Sequence, residues 1–221
     1  SGSNDPYALR RQAYGVVRII ESKKWAFPLS VLQETISDVI SKDTDRFGIG
    51  LSEGQQQVID FIKGRLRQLL TTKNIRHDVI EAVLNAEQKD LTKVFAAAQL
   101  FKQHLADEDF KPSMEALTRV VNLAKKAQLE KQSEVDPELF ENDAEKELHK
   151  AVEAMKASFA DQTIHENYDQ LVALRPLIEN YFDQTMVMAE EPAVRKNRLT
   201  QLSQIAAMAL SLASLDQIIT K

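Results

Sequence analysis

The chain has 221 residues, 43% of them hydrophobic, enough for one large or two small packed domains, and only six glycines and six prolines interrupt a composition that favours helices over sandwiches or barrels. The absence of cysteine excludes a disulfide framework and thiolate metal sites, and no apolar run approaches the roughly 20 residues of a membrane span, so a cytoplasmic protein is expected. A formal net charge of -5 argues against indiscriminate nucleic-acid binding, but residues 1–128 carry 19 Lys and Arg against 16 Asp and Glu while the remainder carries 9 against 17, so any RNA surface is expected in the first part.

Ser1-Gly2-Ser3 reads as a cloning scar, with none of the basic and apolar regions of a signal peptide. Asp5 and Pro6 cap and open a first predicted helix whose Leu9, Ala13, Val16, Val17 and Ile20 recur at helical spacing as far as about Ser22. Pro28 starts a second, striped by Leu29, Leu32, Ile36, Val39 and Ile40, and Asp43 to Gly50 breaks the pattern. Ser52-Glu53-Gly54-Gln55 has the form of a capping box opening a long helix through Leu70. A short helix from about His77 to Asn85 follows, then one carrying Leu91, Val94, Phe95, Ala98, Phe101 and Leu105, ended by Asp107-Glu108-Asp109. Pro112 opens a helix with Met114, Leu117, Val121 and Ala124 facing inward.

The acidic stretch 129–142 reads as a connector in which Pro137 after Asp136 can seed a turn. Beyond it helices are predicted at Ala144 to Phe159, Ile164 to Gln184 with a kink at Pro176, and Pro192 to Leu215. The expected fold is all-α, an elongated bundle of about nine helices. Its main RNA surface would lie in residues 4–128, and the helices of 143–221 would pack back on that bundle.

Little in the sequence points to catalysis. His77, His104, His149 and His165 are scattered without a second ligand at metal spacing, Gly48-Ile49-Gly50 lacks the strand and lysine of a phosphate loop, and nothing recesses the Glu190-Glu191 pair from water. No catalytic residue, metal or cofactor is assigned.

Three sets of cations are candidates for RNA. Arg119, Asn122 and Lys126 share the outer face of one helix, where cations meet phosphates and an amide reads a base edge; a solvated bundle face explains them equally well. Lys63, Arg65 and Arg67 with nearby Arg76 form the densest basic cluster, against which stands local ion pairing, Asp60 with Lys63 for instance. Arg195 and Arg198 fall on the side of Leu199, Leu202 and Ile205, toward the core, where a guanidinium needs a partner such as Asp183, Glu190 or Glu191; a structural lock is favoured over an RNA contact. Tyr181-Phe182 and Met186-Val187-Met188 suit base stacking, though core packing is the commoner fate of such residues.

Asp5-Pro6-Tyr7-Ala8-Leu9-Arg10-Arg11, Phe61-Ile62 with Arg65-Leu66, Asp78-Val79-Ile80-Glu81-Ala82-Val83-Leu84, Arg119-Val120-Val121-Asn122, Leu174-Arg175-Pro176, Phe182-Asp183, Met186-Val187-Met188-Ala189-Glu190, and Arg195 with Asn197-Arg198-Leu199 follow one another in order. Together, from about Asp5 to Asp216, they resemble the C-terminal anticodon-binding region of the beta subunit of heterotetrameric bacterial glycyl-tRNA synthetases. The opening and the Met-Val-Met segment are also similar to the helical anticodon-binding domain of arginyl-tRNA synthetases. The resemblance implies a non-catalytic domain that binds tRNA-Gly at its anticodon stem-loop, where two successive cytosines stand. It also implies two further partners: the remainder of the beta subunit and an alpha subunit that activates glycine. On that reading Lys63, Arg67 and Lys126 would position phosphates, and Arg119 and Asn122 would discriminate cytosine edges. The alternative is a structural helical module that mediates subunit or interdomain contacts.

Overall fold

A computed structural model describes residues 8–28, positions 31, 34, 35 and 38, and residues 51–86, 90–127 and 134–220. Besides helical positions at 31, 34, 35 and 38, nine α-helices are described: α1 (Leu9–Lys23), α2 (Leu51–Thr72), α3 (His77–Leu84), α4 (Leu91–His104), α5 (Phe110–Ala127), α6 (Asp143–Phe159), α7 (Ile164–Ala173), α8 (Arg175–Gln184) and α9 (Pro192–Leu212). Short 3-10 turns stand at Pro137–Leu139 and Leu215–Gln217, and no strand occurs among the described residues beyond one isolated bridge between Pro28 and Asp90. The fold is all-α.

Side-chain caps explain three of the helix starts among the described residues. Asp90 caps α4 by accepting from the Thr92 amide at 2.8 Å. Asn142 with Glu145 and Thr163 with Glu166 form reciprocal capping boxes that satisfy orphan amides at the starts of α6 and α7. Asp136 caps the Pro137 turn, as the sequence predicted. Asp5, Pro6 and the Asp43 to Gly50 break, with its Gly48-Ile49-Gly50, lie outside the described residues. So do the side chains of Ser52 to Gln55, although the helix does begin there, at Leu51.

The interruption expected at Pro176 is present: α7 ends at Ala173 and α8 begins at Arg175, with Leu174 between them still in the right-handed helical region and its amide donating to the Gln170 carbonyl at 3.1 Å, because proline cannot donate to the ladder and its ring crowds the carbonyl four residues back. One expectation is corrected. Val16 was placed on the inner stripe of α1, yet it is exposed beside Ile19, while Val17 and Ile20 are buried.

The core is continuous through the bundle. α1 packs on α2 and α4, α2 on α3, and α5 on α7, α8 and, most extensively, α9. Phe101 on α4 meets Phe110 and Tyr168 edge to face, with centroids 6.4 and 6.0 Å away, joining α4, α5 and α7. α9 is buried on every side from Asn197 to Leu202, the mark of a central helix. Two of its buried polar side chains reach backbone partners: the Asn197 amide exchanges hydrogen bonds with the Asp136 backbone at 2.7 and 2.9 Å, and the Gln201 amide nitrogen donates to the Glu145 carbonyl at 2.9 Å.

Behind α9 the chain turns back as a tail that is clipped to α3. The Ser214 amide donates to the Ala82 carbonyl at 2.9 Å, the Ile219 amide to Asp78 at 2.7 Å, and Asn85 to Gln217 at 3.0 Å, while Leu215 and Ile218 are buried. This return lays residues 215–220 alongside α5.

Candidate nucleic-acid interface

The outer face of α5 and the tail form the two walls of an open groove of about 620 Å³. Glu115, Arg119, Asn122 and Lys126 line it from α5; Asp216, Ile218 and Thr220 face them. Spacings of four, three and four residues keep the α5 side chains within one narrow stripe, since each residue turns the helix by about 100°. The same helix buries Met114, Leu117, Val120 and Val121 on its other side, so its inward packing fixes the groove face outward. Of the predicted inner set only Ala124 is partly exposed.

Arg119 carries a feature that charge patterning does not reveal. Its guanidinium lies over the Phe182 ring, 3.8 Å from the centroid, held by the contact between α5 and α8. Phe182 thus acts on a cation rather than standing free, while its neighbour Tyr181 is wholly buried. Lys125, beside the groove, approaches Asp216 at 3.5 Å, which ties the tail to α5.

The basic cluster on α2 is largely spent on structure. Arg67 makes a two-pronged pair with Glu81 on α3 at 2.5 and 2.8 Å; the hydrogen bond raises its pKa and holds the Glu81 carboxyl below the ordinary carboxylate range. Arg76 grips Asp78 through two bonds of 2.6 Å and donates to the Ile219 carbonyl at 2.6 Å, so it fastens the tail. Burial pulls Asp78 upward, but the bonds from Arg76 and the Ile219 amide outweigh it and leave its pKa lowered. Arg65 packs over Phe61 at 5.2 Å with a shielded, unbonded Nε. Lys63 is half-buried and near enough to help depress Glu81. Arg67 and Arg76 thus each spend Nε and Nη2 on a carboxylate, while both side chains stay 41% exposed.

Arg198 is held deeper still. It is 4% exposed and donates through Nε to Glu145, itself fully buried, at 2.7 Å, through Nη2 to Glu141 at 2.6 Å, and through Nη1 to the Met186 carbonyl at 3.1 Å. All three guanidinium nitrogens therefore direct hydrogen bonds inward. The lock is real, but its carboxylates come from the start of α6 rather than from Asp183, Glu190 or Glu191. The hydrogen bond to Glu145 raises the Arg198 pKa, and burial drives the adjacent Tyr181 phenol far above its ordinary range. Arg195 donates to the Ala189 carbonyl at 3.0 Å. The two arginines therefore brace the 185–190 loop from beneath, where Val187 is buried and Met186 and Met188 stand 72% and 60% exposed.

Sequence reasoning missed the tail wall, the Phe182 stack and Glu141 with Glu145. Only the last left a signal, the Asn142-x-x-Glu145 capping pattern that places a carboxylate at the head of α6. Among the described residues no three His, Asp or Glu side chains converge to hold a metal ion, and no helix is long and apolar enough to cross a membrane.

Residues 113–215 match the family model described as DALR anticodon binding domain, and the helical scaffold agrees with that class. Residues 1–85 match the model described as glycyl-tRNA synthetase beta subunit. The glycine--tRNA ligase beta subunits of Levilactobacillus brevis (43% identical over 224 residues), Lactobacillus delbrueckii subsp. bulgaricus (42% over 221) and Lacticaseibacillus casei (42% over 221) align with all of this chain. The chain spans about a third of the length of these curated relatives, 32% in each case. Over that span it belongs to the glycyl-tRNA synthetase beta-subunit family.

Proposed function

We propose that this chain grips the anticodon stem-loop of tRNA-Gly as a non-catalytic part of a cytoplasmic glycine-tRNA ligase, alongside the rest of the beta subunit and an alpha subunit that activates glycine. The observation that carries this reading is the groove between α5 and the tail. It places a stacked guanidinium, an amide and a lysine in one row on the matched anticodon-binding segment. The side chains of Asn122 and Lys126 are exposed and make no hydrogen bond or ion pair with another described residue. In this reading Lys126 and Lys63 position phosphates, while Arg119 and Asn122 meet unpaired bases. Titration of tRNA-Gly and an anticodon-swapped transcript at low salt tests it: preference for the cognate by roughly tenfold or more is expected, and equal affinity sinks it.

The second reading, a docking module, draws on exposed Val16, Ile19 and Trp25 in and after α1. If Arg65, Arg119 and Asn122 changed together to Ala leave tRNA binding intact while assembly of the synthetase is lost, this reading replaces the first.

A further inference from the structure

The 185–190 loop holds two methionines out to solvent on a fixed support. Met186 and Met188 are exposed, whereas Met114, Met155 and Met208 are buried. Val187 between them is buried, and from beneath Arg198 and Arg195 donate to the Met186 and Ala189 carbonyls at 3.1 and 3.0 Å. The result is a positioned apolar pair whose polarisable thioethers adapt to an aliphatic or aromatic group that meets them. Carboxylates stand around it. Exposed Glu141 accepts from the same guanidinium that holds the Met186 carbonyl. The start of α6, which carries exposed Asp143, is tied to the loop by Asn142, whose side chain donates to the Thr185 hydroxyl at 3.2 Å. Asp183, Glu190 and Glu191 are exposed at the two ends of the loop. Residues 134–191 hold 15 Asp and Glu against 4 Lys and Arg. A surface of that sign disfavours phosphates and suits an apolar group ringed by cations.

The chain carries a surface of that kind at α1. Val17 and Ile20 fill the inward side of the helix, while Val16 and Ile19 turn outward and Trp25 is exposed just past its end. Arg11 and Arg18, seven residues apart, form an exposed row along the same outward side, and Lys23 and Lys24 are exposed at the helix end. Residues 9–25 hold five Lys and Arg against one carboxylate, Glu21, which Lys73 engages at 2.8 Å.

From this two-sided match we propose that the outward face of α1 docks on the Met186 and Met188 loop of a second copy of the chain. Val16, Ile19 and Trp25 cover the methionines, and the cations of α1 meet the carboxylates of the rim. The two faces are different surfaces of one molecule, so the contact is heterologous. A pair formed through it keeps one unused face of each kind, and association runs past the dimer unless a ring closes. The inference does not depend on RNA binding; it rests on the docking reading in using the same α1 face, and it names what covers that face.

Sedimentation equilibrium of the full 221-residue chain over a concentration series at low salt reads the contact. The average mass is expected to rise above 25.0 kDa with concentration, and to fall back toward it at about 0.5 M salt, where exposed charges are screened within about 4 Å. Ile19→Ser with Trp25→Ser removes one face, and Met186→Ser with Met188→Ser removes the other. All four side chains are exposed, so thermal midpoints are expected to stay unchanged. Each double variant alone is expected to remain at 25.0 kDa. Their equimolar mixture is expected to form a complex of twice that mass and nothing larger, because it retains one intact face of each kind. An unmodified chain that stays at 25.0 kDa at every concentration, a double variant that still associates, or a mixture that stays monomeric overturns the inference. If the unmodified chain is monomeric and the Ile19→Ser, Trp25→Ser variant loses its place in the assembled synthetase, the docking reading stands and the second copy as occupant does not.

Discussion

Arg198 and Arg119 show how differently one side-chain type can be used. The Arg198 guanidinium is surrounded by Glu145, Glu141 and the Met186 carbonyl, so both charge and hydrogen-bonding capacity are spent inside. Removing one partner strands the other in a poorly solvated place. Arg198→Ala should cost about 3–5 kcal/mol in urea unfolding, and a variant that also replaces Glu145 with Leu should recover much of that. Arg119 instead sits at the surface on an aromatic ring, and its loss should be felt in RNA affinity rather than in the unfolding midpoint. Lys126 is exposed at the C-terminal end of the same stripe. As a phosphate contact, Lys126→Ala should lower the slope of log affinity against log salt by about one without changing which RNA is preferred.

At the scale of elements, α3 is the fastening point. Glu81 holds it to α2 through Arg67, and Asp78 holds it to the tail through Arg76 and the Ile219 amide. Both carboxylates have pKa values lowered on folding, so the unfolded chain binds protons more readily than the folded one. Their contribution is fully present above the unfolded-state pKa of about 4 and is lost as the pH falls through the lower folded-state values. Glu81→Gln should therefore flatten the fall in stability below about pH 4, measured by urea midpoints across the acid range; an unchanged pH profile would remove this clamp from consideration. The helix starts are simpler. Asn142 caps α6 and its side chain also donates to the Thr185 hydroxyl at 3.2 Å, so Asn142→Ala should cost about 1 kcal/mol in the same assay.

At the scale of the molecule, the tail joins stability to the site. Leu215 and Ile218 are buried, each worth about 1.5–3 kcal/mol, and the residues around them wall the groove. Truncation after Ala213 should lower the denaturation midpoint and weaken anticodon stem-loop binding together. Leu215→Ala should lower stability while leaving most binding in place wherever the chain is folded. The excess of positive charge in residues 1–128 is partly consumed within the fold, since Arg67 and Arg76 are paired there, and the groove keeps the cations that the interior does not need.

The amino-acid sequence determined the helices and most of their inner faces, because helical periodicity and capping patterns act over a few residues. Met114, Leu117 and Val121 turn inward as their spacing requires, and Asn122, Lys126 and Arg119 consequently turn out. It also determined that Arg198 points toward the core. Which carboxylates receive Arg198, how Arg67 and Arg76 are spent, and what stands opposite α5 were decided only in three dimensions. Glu141 and Glu145 lie 57 and 53 residues from Arg198, and Asp216 lies 91 from Lys125. Ion pairs and groove walls depend on distance in space, which a one-dimensional pattern of charges does not contain.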